Sequence, residues 1–255
     1  MSTSPCSEAQ VTDNLCGALI QREELSEADR AGMYLLLKRY FDGVRRDVFD
    51  ADLNEKSTVI LLRSRTGAIQ GFSTLMRLNA SVDGQKILAF FSGDTIVERR
   101  YWGESLLGRL WAKAVFTEAD RIAELDPDLP MFWFLICSGY KTYRFLPVFF
   151  RSYYPNPYTQ TPPEAQKVLD ALGNTKFPGS YDETCGVVRL KHAAPLRPGV
   201  AEITAKRLRD PFVAFFAVRN PGHSLGDELA CLAPISHQNL TRAGLRMIRA
   251  GAEPE

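Results

Sequence analysis

The sequence has few of the residues that usually bind metal ions. Neither H-x-x-x-H nor C-x-x-C spacing occurs, so neither of these zinc-site patterns is present. The cysteines are also scattered and odd in number, which is not the pattern of a disulfide framework. The histidines are His192, His223 and His237, and the cysteines are Cys6, Cys16, Cys137, Cys185 and Cys231. We therefore expect neither a metal site nor a disulfide-stapled fold.

An excess of charge of one sign is also lacking. Lysine and arginine number 31 against 30 acidic residues, a net charge of +1, which gives no electrostatic case for binding nucleic acid or a membrane surface. The first ten residues, MSTSPCSEAQ, have neither the basic start nor the apolar core of a secretory signal. No apolar run approaches the roughly 20 residues that a membrane span needs. These absences predict a cytoplasmic protein without nucleic-acid or membrane partners.

The first half of the chain reads as helices followed by strands. Residues 1–25 are polar and lack a clear period, which predicts a flexible arm. Ser26 and Asp29 have the spacing of a capping box, and a helix is expected from Ala28 to about Gly43. A second helical stretch is expected near Val48. Three strands should follow, with an Asp-Gly turn at residues 83–84, and they are Thr58–Arg63, Ala68–Leu78 and Lys86–Val97.

The second half predicts a further mixture of helices and strands. A long helix should begin near Gly103, because leucines, Trp111 and Val115 recur at helical spacing. The other expected helices are Tyr140–Phe150, Glu164–Leu172 and His237–Arg249, and the expected strands are Met131–Cys137, Gly186–Lys191, Phe212–Arg219 and Glu228–Leu232. We predict an α/β (α+β) fold with a mostly antiparallel mixed sheet flanked by helices. A single domain over residues 26–250 is preferred to two domains divided at the proline-rich loop 155–163.

The segment that leads into the long helix carries the clearest motif. It runs from Thr95 to Leu107 as TIVERRYWGESLL, in which Arg100, Gly103 and Ser105 have the spacing R-x-x-G-x-S. The first N–H groups of a helix lack intrahelical partners, and the helix dipole favours negative charge there. A glycine at that point lets a pyrophosphate approach the main chain. The motif alone fits either an anion site at a helix start or a helix that begins with glycine and binds no ligand, and the order of the elements decides for the anion site.

With this motif and the order of its elements, the segment from Thr58 to Tyr143 resembles the GNAT superfamily of N-acyltransferases. In that superfamily the pattern Q/R-x-x-G-x-G/A follows the fourth strand, and here Ser105 stands at the last position. A second register aligns Tyr101-Trp-Gly103 with the Tyr-Arg-Gly often found at this loop. The resemblance implies a donor-binding core over residues 58–154 and a C-terminal extension over 155–250.

The resemblance also implies a donor site for acetyl-CoA or another acyl-CoA, with no metal. In the superfamily the fourth and fifth strands splay apart, and the fourth strand pairs with the pantetheine arm. The residues that would bind the donor here are Thr95, Ile96, Val97, Arg100, Gly103, Glu104, Ser105 and Leu106. A thioester on a carrier protein, or an aminoacyl donor, remains an alternative to CoA. Dimerisation is common among such folds, so a homodimer is a further expectation.

Two polar residues interrupt the apolar third strand of the first half. Ser92 and Asp94 flank Gly93, and a glycine inside a strand indicates a bulge or a close backbone approach. By alternation, Ser92 and Asp94 should share one face of the sheet. Asp94 is a candidate base or amine-binding group, since an apolar strand makes an unpaired carboxylate costly. The alternative is a structural carboxylate that is hydrogen-bonded to a turn or to an arginine such as Arg77 or Arg144.

Aromatic residues supply the remaining candidates. Tyr140 and Tyr143 follow the buried strand, where the superfamily places a tyrosine acid near the leaving thiolate, and Tyr143 is the preferred candidate. The superfamily's usual tyrosine lies later, at a position closest to Phe149, which cannot donate a proton. A further aromatic set forms either a pocket for an acyl chain or core packing, and it comprises Phe90, Phe91, Trp133, Phe134, Phe149 and Phe150.

Together these features predict an N-acyltransferase that transfers an acyl group from acetyl-CoA or another acyl thioester to an amine of a small molecule. One alternative is a catalytically inactive protein of the same fold that binds a small molecule in a regulatory role. Another is an interaction protein of unrelated fold, with no affinity for any CoA compound.

Overall fold

The computed structural model describes residues 10–12 and 15–252. The strands of this part of the chain are β1 (Gln10–Thr12), β2 (Leu15–Gln21), β3 (Thr58–Ser64), β4 (Ile69–Val82), β5 (Gln85–Val97), β6 (Met131–Cys137), β7 (Tyr181–Asp182), β8 (Val187–Val188) and β9 (Glu228–Pro234). The helices are α1 (Glu27–Tyr40), α2 (Arg46–Glu55), α3 (Leu106–Leu125), α4 (Tyr140–Tyr143), α5 (Phe145–Phe149), α6 (Pro163–Lys176), α7 (Pro211–Arg219) and α8 (Arg242–Ala252). All the described strands join one sheet in the order β1-β2-β3-β4-β5-β6-β9-β8-β7.

The strands β5 and β6 are the one parallel pair among the described strands. A parallel pair needs a crossover connection, and α3 supplies it between these two strands. The pairing runs from Leu88 opposite Met131 to Ser92 opposite Leu135 and ends there. Beyond this point no described strand pairs with residues 93–97 of β5 on that side. We call the resulting opening between residues 93–97 and residues 136–139 the splay.

A β-bulge lies where the splay begins. Ser73 of β4 pairs with Thr95 and Leu75 pairs with Ser92, so Gly93 and Asp94 together oppose a single residue of β4. A Cβ atom on Gly93 would lie 2.5 Å from Thr74 Oγ1 and 2.7 Å from Lys56 Cε, so the bulge has no room for a side chain there. The bulge and close approach predicted at this glycine are both confirmed.

The bulge changes which face of the sheet the following residues occupy. Phe90 packs in the core cluster that contains α3, whereas Ile96 packs in the cluster that contains α1 and α2. The prediction that Ser92 and Asp94 share one face is therefore wrong. Ser92 lies on the α3 face, and Asp94 lies on the face with α2 and α6, where Lys56 and Lys176 are its charged neighbours.

Helices cover both faces of this sheet. One face packs against α3, whose apolar stripe includes Leu110, Trp111, Val115 and Phe116, and α8 packs on α3 in turn. The other face carries α1, α2 and α6. The mixed, mostly antiparallel sheet flanked by helices confirms the predicted fold class. No helix in the described part of the chain is both long and apolar enough to cross a membrane.

Several local predictions are confirmed in detail. Ser26 caps α1, since its side chain accepts a hydrogen bond from Asp29 N at 3.1 Å and the Asp29 carboxylate accepts one from Ser26 N at 3.4 Å. The predicted hairpin turn has Asp83 and Gly84 at φ angles of 49° and 82°. The three strands of the first half and the strand Met131–Cys137 are present.

Other local predictions need correction. Residues 15–21 of the predicted flexible arm form β2, which pairs along its whole length with β3 because its Leu15 and Gly17 turn inward. Residues 1–9, 13 and 14 of that arm, and Cys6, lie outside the described residues. The segment Phe212–Arg219 belongs to α7 rather than to a strand, because Asp210 caps Phe212 N at 2.9 Å and proline occupies the first helical position.

The C-terminal part departs from prediction in two more places. The predicted helix Tyr140–Phe150 is divided into α4 and α5 at Arg144. The predicted strand Gly186–Lys191 is reduced to Val187–Val188. The strands β9, β8 and β7 continue the sheet beyond β6, and the division into a donor-binding core and an extension stays a prediction.

Candidate active site

A large cavity occupies the splay. Its volume is about 1490 Å³, above the range of roughly 300–1,000 Å³ that is usual for small-molecule pockets. One wall is the unpaired stretch of β5 from Gly93 to Val97, and the other includes Ile136, Ser138 and Gly139 after β6. Strand pairing that ends early therefore leaves backbone groups and side chains on both sides of an open site.

The N-terminus of α3 opens onto this cavity. The first intrahelical bond runs from Arg109 N to Ser105 O at 2.9 Å, so the N–H groups of Leu106, Leu107 and Gly108 have no acceptor within the helix. Ser105 is the N-cap residue, but its side chain makes no capping hydrogen bond. Ser105, Leu107 and Gly108 all line the cavity. These positions suit an anionic ligand at the helix start.

The helix begins slightly later than the motif predicts. Residues Arg99–Tyr101 form a 3₁₀ turn, and the N–H of Glu104 donates to the Tyr101 carbonyl at 3.0 Å. Gly103 lies on the cavity wall, and a Cβ atom built on it would meet no other atom within 4 Å. The protein itself therefore does not require glycine at this position, whereas a ligand close to the main chain would.

Two of the predicted donor-binding residues have side chains that face elsewhere. Arg100 Nη2 donates to Gln70 Oε1 at 2.8 Å, so its side chain is turned toward β4. Leu106 is fully buried in the core beneath α3, and neither residue lines the cavity. The other predicted residues, Thr95, Ile96, Val97, Gly103, Glu104 and Ser105, do line it, and their role in donor binding stays a prediction.

Basic side chains that the motif does not contain line the cavity instead. They are Arg45, Arg109, Lys141, Arg144, Lys176, Lys191, Arg207 and Arg246. Arg109 is in the first turn of α3, and within the described part of the chain its Nε is buried and makes no hydrogen bond. A buried, unsatisfied guanidinium nitrogen at a helix start fits a missing anionic partner. In the sequence, the only indication that Arg109 belongs to the site is its position about one helical turn after the motif.

Asp94 lies on the freed part of β5 and lines the cavity. Burial raises its pKa to about 7, the negative charge of Asp52 adds to the rise, and the positive charges of Lys56 and Lys176 oppose it. Lys56 is itself buried and bonds to Asp52 Oδ1 at 2.6 Å. A half-buried carboxylate with this pKa can accept a proton near neutral pH.

The arginines considered as partners of Asp94 are engaged with other acids. Arg77 forms an ion pair with Glu118 at 2.7 Å, and Arg144 forms one with Asp210 at 3.4 Å. These two arginines are therefore paired with other carboxylates, and the charged neighbours of Asp94 are Lys56 and Lys176 instead. The choice between a functional and a structural carboxylate at Asp94 stays a prediction.

Glu228 is a second carboxylate of the cavity and was not predicted. It begins β9 next to the end of β6, and its Oε2 accepts a hydrogen bond from Ser138 Oγ at 2.8 Å. Burial raises its pKa to about 7, the hydrogen bond from Ser138 opposes the rise, and the charge of Asp94 adds to it. In the sequence, the only indication of a special role for Glu228 is its position as an acid at the start of the apolar run ELACLAP. Nothing in the sequence predicts that it lies near Asp94.

The tyrosines occupy different environments. Tyr143 is fully buried, and its hydroxyl donates to the Pro155 carbonyl at 2.9 Å. Burial raises its pKa well above the usual value, and the residue is absent from the cavity wall. Tyr140 does line the cavity, as does Phe149. The structure therefore brings Tyr140, and not the preferred candidate Tyr143, to the site.

Ser92 lines the cavity, but its hydroxyl is already engaged. Its Oγ accepts hydrogen bonds from Trp111 Nε1 and from Trp133 Nε1, each at 2.9 Å. These two hydrogen bonds connect α3 and β6 to β5, so the Ser92 hydroxyl has a structural role. Among the described residues, no group of three or more His, Cys, Asp or Glu side chains is placed to hold a metal ion.

Comparison with known proteins gives matches at the level of structure alone. No protein-family model and no curated protein sequence matches this chain. The chain is similar to the GNAT family N-acetyltransferase YhbS from Escherichia coli, solved in complex with CoA, with 16% identity over 57% of this chain and 71% of that one and a TM-score of 0.34. It is also similar to a probable N-acyltransferase from Enterococcus faecalis V583, with 10% identity over 87% and 66% of the two chains and a TM-score of 0.41.

A third similar structure is glucosamine-6-phosphate N-acetyltransferase from Arabidopsis thaliana, with 18% identity over 51% of this chain and 87% of that one and a TM-score of 0.33. Each of these names belongs to the neighbour that carries it. Identities and TM-scores of this size carry no conclusion about the activity of this chain.

Proposed function

We propose that this protein is a cytoplasmic N-acyltransferase that transfers an acyl group from acyl-CoA or another acyl thioester to an amine of a small molecule. One observation carries the proposal: the pairing of β5 with β6 stops at Ser92, and the opened cavity contains both the free end of α3 and the carboxyl group of Asp94.

The donor lies along the freed part of β5. Residues Thr95, Ile96 and Val97 are paired with β4 on one side only. Main-chain groups on their other side can bind the amides of a pantetheine arm, except the Val97 carbonyl, which accepts a hydrogen bond from Trp102 Nε1 at 2.8 Å. The phosphates lie at the start of α3, where the N–H groups of Leu107 and Gly108 and the guanidinium of Arg109 provide donors.

The transfer step requires a base and a site for developing negative charge. The amine nitrogen attacks the thioester carbonyl carbon, the C–N bond forms, the C–S bond breaks, and the thiolate leaves. Asp94 accepts the amine proton, directly or through water, because a base with a pKa of about 7 matches neutral pH. An N–H of the freed strand stabilises the carbonyl oxygen as charge develops on it.

The leaving thiolate also needs a proton. Tyr40, Tyr101 and Tyr140 line the cavity, whereas Tyr143 does not. Tyr140 is the one of these three that follows β6, so it replaces Tyr143 as the proposed acid. Phe149 lies on the same wall and cannot serve. The buried position of Tyr143 and the phenylalanine at residue 149 are the observations that favour the alternative, a protein that binds the donor without transferring its acyl group.

Calorimetric binding of CoA compounds, combined with amine-dependent thiol release, tests the proposal. We expect the wild-type protein to bind CoA, and Asp94→Asn to bind it equally well while kcat falls by about 10²–10⁴. Asp128→Asn, at an exposed acid outside the cavity, is the matched control and should leave both quantities unchanged.

The outcomes separate the alternatives. Binding without thiol release for any amine would support the non-catalytic alternative. Turnover by Asp94→Asn at the wild-type rate would overturn the assignment of the base, and absence of affinity for every CoA compound would overturn the donor site.

A further inference from the structure

Part of the cavity is an apolar lobe between α3, α8 and the sheet. We define it by the lining residues Trp111, Trp133, Leu135, Phe150, Ala243 and Met247. The rings of Trp111 and Trp133 lie with centroids 4.4 Å apart, and the Phe150 ring lies 5.5 Å from that of Trp133. Such an aromatic wall offers a broad apolar surface to a ligand.

The polar atoms of this lobe are already used. The indole N–H is the one donor of each tryptophan, and both donate to Ser92 Oγ at 2.9 Å. The other four side chains have no conventional donor, and at most the weak thioether acceptor of Met247. A polar ligand group would therefore lose its hydration here without gaining hydrogen bonds. The lobe thus favours an apolar group of the ligand.

The position of the lobe assigns it to the donor rather than to the acceptor. Trp111 and Ser92 lie on the α3 face of the sheet, which is also the face of the anion site at the start of α3. Asp94 lies on the opposite face with α2 and α6, because of the bulge at Gly93. An amine that reaches Asp94 approaches from the face with α2 and α6, while the donor binds on the face with α3.

The apolar lining bears on the length of the acyl group. An acetyl group carries a single methyl beyond its carbonyl carbon, whereas six apolar side chains line the lobe. The apolar surface also continues to the mouth, where Phe145 and Val148 are each 43% exposed on α5. Exposed apolar residues that adjoin a cavity are typical of a ligand-binding groove.

We infer that the donor carries a medium or long unbranched hydrocarbon acyl chain, and that this chain lies in the apolar lobe. The inference rests on the proposed function, since it names the acyl group of the same donor site. Each methylene that enters the lobe should tighten binding about fourfold, the ratio that corresponds to burial of one CH₂ group.

The test is a chain-length series on the full-length protein. Dissociation constants are measured by calorimetry for CoA and for its acetyl, butyryl, hexanoyl, octanoyl and decanoyl thioesters, below their micellar concentrations. We expect affinity to rise by at least tenfold between acetyl-CoA and octanoyl-CoA, and kcat/KM with an amine acceptor to rise in parallel.

A variant locates the chain. Ala243→Leu narrows the lobe from α8, so we expect it to weaken decanoyl-CoA at least tenfold and to leave CoA unchanged. Ala28→Leu, at an exposed position in the first turn of α1, is the control and should change neither. If Ala243→Leu fails to fold, Met247→Trp on the same face of α8 is the second variant, with the same expectation.

The results distinguish this inference from the proposed function. Equal affinities for CoA and all its thioesters would overturn the inference and leave the donor site in place. A chain-length dependence that Ala243→Leu and Met247→Trp do not alter would overturn the location of the chain. Absence of binding for CoA and every thioester of the series would overturn acyl-CoA as the donor of the proposed function.

Discussion

At the scale of single residues, two of the carboxyl groups that line the cavity have raised pKa values. Asp94 and Glu228 each have a pKa of about 7, and the charge of Asp94 contributes to the value at Glu228. Coupling between two sites is reciprocal, so removal of either charge must lower the pKa of the other. Groups coupled in this way titrate as a pair, and a single pH profile does not assign them.

A pair of variants assigns the base. If Asp94 is the base, kcat/KM rises with pH through about 7 in the wild-type protein, because only the ionised carboxylate accepts a proton. Glu228→Gln should then keep most of the activity and move this rise to lower pH, whereas Asp94→Asn should remove the activity. The measurement is the pH dependence of kcat/KM for both variants.

The opposite pattern would contradict the assignment. Activity lost in Glu228→Gln and retained with a shifted profile in Asp94→Asn would make Glu228 the base. The Ser138 hydroxyl would then be the group that orients it.

At the scale of the element, a substitution at the start of α3 should change the affinity for the donor without lowering the stability of the fold. Ser105 is the N-cap residue without a capping hydrogen bond, and aspartate is among the best N-cap residues. Ser105→Asp should therefore hold or raise the midpoint of thermal unfolding. The same negative charge repels the donor phosphates, so we expect at least tenfold weaker binding of CoA.

The comparison for this prediction is Ser105→Asn, which has the shape of aspartate without its charge. The difference between the two variants isolates the electrostatic effect, and it should shrink as salt is added. Equal CoA affinity in the two variants at low salt would mean that no anion binds at this helix start.

The elements also show where sequence reasoning succeeded. Ser26 and Asp29 are close in sequence, and so are the turn residues Asp83 and Gly84, so their local chemistry was legible. The run Phe212–Arg219 was misread as a strand, because an all-round apolar segment fits either structure and its cap, Asp210, lies just outside the run. Strand β2 was missed although its residues 15–20, LCGALI, form a short apolar run, because the polar residues on either side of this run dominated the interpretation of residues 1–25.

At the scale of the whole molecule, the candidate site depends on relations that no local pattern contains. The bulge was predictable from Gly93, but its effect on the following residues was not, since the face of Asp94 depends on how many residues of β4 oppose it. Glu228 joins the site only because β9 pairs with β6. Arg109 could be located near the motif, yet its unsatisfied nitrogen is a property of the packed molecule.

The two half-buried carboxyl groups should also make the free energy of unfolding depend on pH. In the folded state Asp94 and Glu228 have pKa values of about 7, against ordinary values of 3.8 and 4.5. Between these limits the folded state binds more protons than the unfolded state, so the contribution of both groups to stability falls as pH rises from about 4 to 7. Above pH 7 the folded protein holds both charges at a cost.

The double variant Asp94→Asn, Glu228→Gln removes that cost. Its midpoint of thermal unfolding, measured by calorimetry, should be close to that of the wild-type protein at pH 4 and clearly higher at pH 8. Asp128→Asn, at an exposed position, should show no such divergence. A difference between the double variant and the wild-type protein that stays constant from pH 4 to pH 8 would mean that the two carboxyl groups titrate normally. In that case neither carboxyl group would have the raised pKa that a base near neutral pH requires. A difference in midpoint that grows from pH 4 to pH 8 would mean that both charges destabilise the folded protein, at the site where a proton has to be accepted.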